Sequence, residues 1–286
     1  MLSIKSPWAD TFDRFVDSIQ ESAIITAPFI TRQPVERLVR QLRKPQSVQL
    51  DLLTNLDERN LSGGLVDSAA LSWLCEQIPQ TTVRHLRYLH AKAYVADNHT
   101  AIVTSANLTS GGLWRNYELG VSITDSQEVR ELSDDLREYG EFGVLVPMDA
   151  LVELDALARR ARRYKEASDD TGDSISEYDK AIDEISERLA ELRTNTEEFA
   201  VNPKASTNAK FADAVRYILK RNGPLPTAKI NLLVQELMPE WCDDNVDRVI
   251  RGVSFGRKWK HQVRNAQVQL RREGVIVREG KVWRLV

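Results

Sequence analysis

The chain has 286 residues, with 39 Lys or Arg against 42 Asp or Glu for a net charge of −3, and 42% of it is hydrophobic. This length allows a sizeable buried core and roughly two domains, and the composition excludes a disordered or fibrous chain. There is no apolar run of about 18 residues, and MLSIKSPWAD lacks a charged segment leading into an apolar stretch, so neither a membrane span nor a secretory signal is expected.

From the N-terminus, amphipathic patterns at Ala9–Gln20, Val35–Leu42 and Leu65–Gln77 predict helices. Apolar runs of strand length lie at Ser22–Phe29, Val48–Thr54, Val83–Leu89, Ala91–Val95, Ala101–Thr104 and Leu119–Ile123. Asp57 to Gly64 reads as a polar loop. The alternation predicts an α/β domain over residues 1–148, a mixed sheet flanked by helices.

Residues 149–206 read as a helical stalk or linker. After Pro147 comes a charged helix with Leu151, Leu154, Leu157 and Ala158, and SDDTGDS at 168–174 breaks it. A second helix carries Ile175, Tyr178, Ile182, Ile185, Leu189 and Leu192, an a/d heptad. The two helices could close as a hairpin, the second could pair with its own copy, or one face could pack on the preceding domain. VNPKAS at 201–206 reads as a linker.

Residues 207–286 predict helices at Ala209–Arg221, Thr227–Leu237, Asp244–Gly252 and Lys258–Glu273, then a hairpin turning at Arg278-Glu279-Gly280. Helices followed by a hairpin is the order of a winged helix. This end is also basic. From Arg248 to Arg284 there are eleven Lys or Arg against two Glu, giving +9; residues 201–247 balance, which leaves −12 on residues 1–200. Such a split predicts a polyanionic partner. On the Lys258–Glu273 helix, Trp259, Val263, Ala266 and Leu270 share one face, while Arg257, His261, Arg264, Arg271 and Arg272 cluster opposite. Cys75 and Cys242 sit in apolar patterns far apart and read as reduced core residues, which by default suits a cytoplasmic protein.

The chemistry-bearing stretch runs His90-Ala-Lys92, then Asp97, then Thr104-Ser105-Ala-Asn107, with Asn116-Tyr117-Glu118 before the next strand. Residues i and i+2 of a strand point the same way, so His90 and Lys92 would project together, as would Ser105 and Asn107 at the end of the next strand. A phosphodiester needs a cation and hydrogen-bond donors on its oxygens, which Lys92, Ser105 and Asn107 supply. Imidazole serves as nucleophile or proton donor near neutral pH.

This stretch resembles the phospholipase D superfamily pattern H-x-K-x4-D-x6-G-S-x-N, departing from it at Thr104, where that family usually has Gly. The resemblance implies a catalytic set of His90, Lys92, Ser105, Asn107 and Glu118, with Glu118 orienting the histidine and Asp97 supporting the fold rather than reacting. No second H-x-K occurs. Single-motif relatives build one site across a two-fold dimer, so a homodimer is implied, in which one His90 forms a phosphohistidine and the other protonates the leaving oxygen. No metal and no cofactor are implied.

The C-terminal stretch GRKWKHQVRNAQVQLRREGVIVREGKVWRLV is similar to winged-helix modules on restriction proteins of the Mrr type. It implies DNA contact through Arg257, Lys258, Lys260, His261, Arg264, Arg271, Arg272, Arg278 and Lys281. The reading that follows is a nuclease of restriction or phage-defence type with DNA as partner. Its rivals are a DNA-binding protein whose phospholipase D-like domain is inactive and serves to dimerise, and a lipid phosphodiesterase.

Overall fold

The apolar runs of the N-terminal half pair into one eight-stranded sheet. Its strands are β1 (Leu2–Lys5), β2 (Ser22–Thr26), β3 (Gln49–Thr54), β4 (Thr81–His85), β5 (Ala93–Ala96), β6 (Thr100–Thr104), β7 (Leu119–Ile123) and β8 (Val144–Leu145). The computed structural model describes residues 2–167, 172–195, 207–250 and 252–286. The chain divides into two compact units, residues 1–193 and 194–286.

The sheet order is β1-β7-β6-β5-β2-β3-β4-β8. β2, β3 and β4 run parallel, and the other pairings are antiparallel. The helices of this unit are α1 (Ala9–Ser18), α2 (Arg32–Gln41), α3 (Glu58–Ser62), α4 (Ser68–Gln77), α5 (Ser126–Phe142), α6 (Met148–Ala167) and α7 (Gly172–Asn195). One sheet face buries Ile24, Leu53, Ala93, Val95 and Ala101 against Val129 and Leu136 of α5. On α1, Phe12 and Phe15 join Trp8 around the fully buried Tyr94, edge to face, with centroids 5.5–6.1 Å apart. Rings of this size, wholly desolvated, make this cluster a main source of hydrophobic stabilisation for β5.

The predicted strands and the first helices are present with shifted ends; β4 and α2 begin earlier than expected, at Thr81 and Arg32. The stretch 57–64, expected as loop, contains the single turn of α3, which the Asp57 carboxylate caps by accepting from Asn60 N at 2.8 Å. α6 packs on α3 and α4 and buries Leu151, Leu154, Ala158 and Ala161. Arg160 pairs with Glu184, and Arg188 with Glu153 at 2.5 Å, so α7 runs antiparallel to α6. On α7, Ala181, Ile185 and Leu192 are buried. The break at 168–171, the side chain of Ile175 and the linker 201–206 lie outside the described residues. Among the described residues no helix is long and apolar enough to cross a membrane.

The second unit contains α8 (Thr207–Asn222), β9 (Leu225–Pro226), α9 (Thr227–Leu237), β10 (Asp247–Ile250), β11 (Val253–Arg257), α10 (Lys258–Arg272), β12 (Ile276–Glu279) and β13 (Val282–Leu285). β12, β13 and β9 form an antiparallel sheet in that order. Phe211, Val215, Ile218, Val234, Trp259, Val263, Leu270 and Trp283 fill the core. The helix expected at Asp244–Gly252 is absent, and the segment enters an antiparallel ribbon, β10 with β11. The physical reason is its β-branched Val249, Ile250 and Val253, with Gly252 at φ +79° between the two strands.

Candidate active site

Antiparallel pairing brings the motif together at one end of the sheet. Ala93 opens β5 and pairs with Val103 near the end of β6; Thr104 pairs with Gly120 near the start of β7. His90 and Lys92 therefore enter, and Ser105 and Asn107 leave, at the end where Glu118 enters β7. The two pairs lie just outside the strands rather than in them: the chain turns at Tyr88, whose φ is 61°, ahead of His90 and Lys92, and Ser105 and Asn107 follow the end of β6 at Thr104. Off the strand the two differ in exposure: His90 is exposed, and Lys92 is buried, only 8% exposed.

The Lys92 ammonium donates to His90 O at 2.7 Å, leaving two of its three protons uncommitted there. Burial pulls its pKa below the ordinary lysine value, while the nearby Glu118 carboxylate pulls the other way. Asn107 Oδ1 accepts from Phe29 N at 3.3 Å. An amide N–H can only donate, so this bond fixes the orientation of the Asn107 side chain and leaves Nδ2 as a free donor. Ser105 Oγ donates to Glu118 Oε2 and accepts from Leu119 N at 3.1 Å.

The resemblance led to the expectation that Glu118 holds the His90 ring. Within one chain it does not. Its carboxylate accepts from Ser105 and from Asn116 Nδ2 at 3.2 Å. The topology explains this: Glu118 precedes β7, whose neighbour is β6, while His90 precedes β5 on the far side of β6. Among the described residues no hydrogen bond joins the exposed His90 imidazole to a side chain of its own chain. Asp97 sits at the opposite end of the sheet, in the turn after β5, and accepts from Gln20 N, Glu21 N and Ser22 N at 2.6–2.9 Å. It ties β5 to the start of β2 and does not approach the candidate site.

Several supporting residues carried no sequence signal. Tyr94 OH donates to Ala106 O at 3.3 Å, between Ser105 and Asn107. Ser6 Oγ accepts from Glu118 N at 2.5 Å. Gly112 passes so close to Asn107 that an added Cβ would lie 2.3 Å from Asn107 O. Thr104 stands where the pattern has Gly, and its cross-strand partner is Gly120. The space lost on one strand is returned on the other. Among the described residues no group of three or more His, Cys, Asp or Glu converges as metal ligands would.

On the second unit, Lys258, Lys260, Arg264, Arg271, Arg272, Arg278 and Lys281 are all exposed. Arg257 is engaged by Asp247 at 3.2 Å, and Arg278 lies over Trp283, 5.7 Å from the ring centroid. His261 differs from this set: its ring is bound on both nitrogens, to Phe255 O and to Arg248.

Residues 14–139 match the family described as "Cardiolipin synthase, PLD-like domain", an interval that contains all five catalytic candidates. Similar solved structures include a phospholipase D family member, Nuc, from Salmonella typhimurium, at 20% identity over 50% of this chain and 95% of that one, TM-score 0.43. NucT from Helicobacter pylori aligns at 16% identity over 48% and 92%, TM-score 0.41. TrmBL2, an archaeal chromatin protein, aligns at 15% identity over 50% and 52%, TM-score 0.37. No curated protein matches this chain.

Proposed function

We propose that this chain is a DNA phosphodiesterase, a nuclease of restriction or phage-defence type, that works without a metal in a site shared by two copies. One observation carries the reading: an exposed imidazole at one sheet end beside a buried ammonium and an oriented amide donor. Lys92 Nζ and Asn107 Nδ2 hold the non-bridging phosphate oxygens, and Ser105, fixed by Glu118, lines the same end. One His90 attacks phosphorus and the P–O ester bond to the leaving group breaks as that oxygen takes a proton from the second His90. That histidine then removes a proton from water, whose oxygen displaces the phosphohistidine nitrogen. The second unit, read as a winged helix over residues 207–286, holds DNA on α10.

The test is incubation of purified protein with plasmid, single-stranded DNA and RNA, with and without EDTA, followed by mixed dimers. DNA cleavage should survive EDTA, and His90→Ala should abolish it with the fold intact. Dimers of one parent and one His90→Ala chain should lose most turnover. Full EDTA sensitivity, or mixed dimers keeping half the parent rate, would overturn the mechanism.

A further inference from the structure

The β10–β11 ribbon is a two-stranded sheet of its own and leads directly into α10. Every residue of β11 is exposed. Val253 and Phe255, which share one face of β11, are 57% and 54% exposed, and they form an apolar strip on a two-stranded ribbon. An isolated ribbon of this kind is marginal in water, yet this one is tied down at its base. Lys258 N donates to Val246 O at 2.9 Å, and Ser254 Oγ donates to Asp247 at 2.7 Å. His261, on the first turn of α10, reaches back with both ring nitrogens, Nε2 to Phe255 O at 2.9 Å and Nδ1 to Arg248 Nη1 at 3.3 Å. A guanidinium only donates, so Nδ1 accepts and Nε2 carries the proton given to Phe255 O.

Resting on the reading that α10 binds DNA, we infer that this ribbon is a second duplex-DNA contact, with Val253 and Phe255, two residues apart on one face of β11, packing on bases and deoxyribose and His261 as a positioning residue that locks it to α10. The charge fits that occupant: residues 247–261 hold five Lys or Arg and one Asp. The dimensions fit too. A B-form major groove, roughly 12 Å wide, admits a two-stranded ribbon, whereas the deep, narrow major groove of duplex RNA does not. A second copy of the chain is the poorer occupant, because two side chains fall well short of the roughly 1,000 Å² that a stable protein interface buries. His261 thus leaves the set of direct DNA contacts, and Phe255 enters it.

The experiment is fluorescence anisotropy of the full chain with a labelled duplex across a salt series, with sedimentation of each variant. Phe255→Ala, and separately Val253→Ser, should bind on the order of tenfold more weakly. Because an apolar side chain neutralises no phosphate, the slope of log affinity on log salt should match the parent. His261→Ala should lose as much, and His261→Gln, which keeps a donor for Phe255 O, should recover most of it. Arg264→Ala on α10 reports on the underlying reading and should reduce the salt slope by about 0.9. If the parent binds duplex and Arg264→Ala weakens it while Phe255→Ala binds like the parent, the ribbon inference is overturned and the DNA reading stands. A Phe255→Ala protein with parent affinity and an altered sedimentation coefficient overturns it in favour of a protein contact. A parent that ignores duplex at low salt overturns the DNA reading itself.

Discussion

Gly120→Ala probes the strand pair on which the motif hangs. A Cβ at Gly120 would lie 2.8 Å from Thr104 Cβ, 2.8 Å from Val103 O and 2.9 Å from Thr104 Oγ1. Ordinary carbon contacts sit at about 3.5–4.0 Å, so β6 and β7 must part by several tenths of an ångström. Overpacking of this kind costs about 1–3 kcal/mol. The shift falls on Thr104 Oγ1, which accepts from Ala106 N and donates to Leu119 O, both at 3.2 Å, and therefore on Ser105 between them. Urea denaturation should show the lost stability, and cleavage assays should show kcat falling more than KM changes. Thr104→Gly alone should cost about 1 kcal/mol, as glycine does in a strand. In the Gly120→Ala background it removes two of the three close contacts and should recover part of the loss. Strictly additive losses in this cycle would refute the complementarity of Thr104 and Gly120.

Two further outcomes are expected. Asn107→Asp keeps an acceptor for Phe29 N but replaces the free donor by a carboxylate, so kcat should fall about 100-fold or more with little change in melting temperature; a large stability loss with unchanged kcat would make Asn107 structural only. His85 is buried, its pKa pushed down to about 4 by burial and then by the Arg87 charge, and its Nδ1 accepts from Leu56 N at 3.0 Å. The unfolded histidine takes a proton near 6.5, so the unfolded state binds more protons between pH 6.5 and 4. Stability falls with acid across that window, by up to roughly 3 kcal/mol. His85→Asn should flatten the window in urea titrations at pH 7 and 4.5, and an identical acid dependence in both proteins would sink the assignment.

The features legible in the sequence share one property: they are local. H-x-K and S-x-N are two-residue spacings, and each places its pair at a strand end whatever the rest of the sheet does. Features set by register are not legible. Nothing in Thr104 announces Gly120, sixteen residues on, because their opposition depends on the β6–β7 pairing. Glu118 was legible as a member of the set but not in its contacts, since strand order decides that it meets Ser105 before His90. β1 is four residues at the sheet edge and carries too short a pattern to read. The ribbon was misread for a sharper reason. Val246, Val249, Ile250 and Val253 fall at helical spacing as well as among β-branched residues, and the glycines that settle the matter act through φ, +79° at Gly252 and +86° at Gly256.

The same geometry bears on where a second imidazole would come from. Of the four histidines, His261 belongs to the other unit and is bound on both ring nitrogens. His99 lies in the turn between β5 and β6, at the end of the sheet where Asp97 sits. His85 ends β4, which is separated from β5 by β2 and β3; at about 4.8 Å per strand it stands roughly 14 Å from the motif. It is also neutral and spent on Leu56 N. An acid paired with the His90 nucleophile must reach the leaving oxygen within hydrogen-bond distance. The shared site proposed above meets that requirement with a group each copy already exposes, and it leaves the histidine free for the substrate phosphate because Glu118 is committed to Ser105.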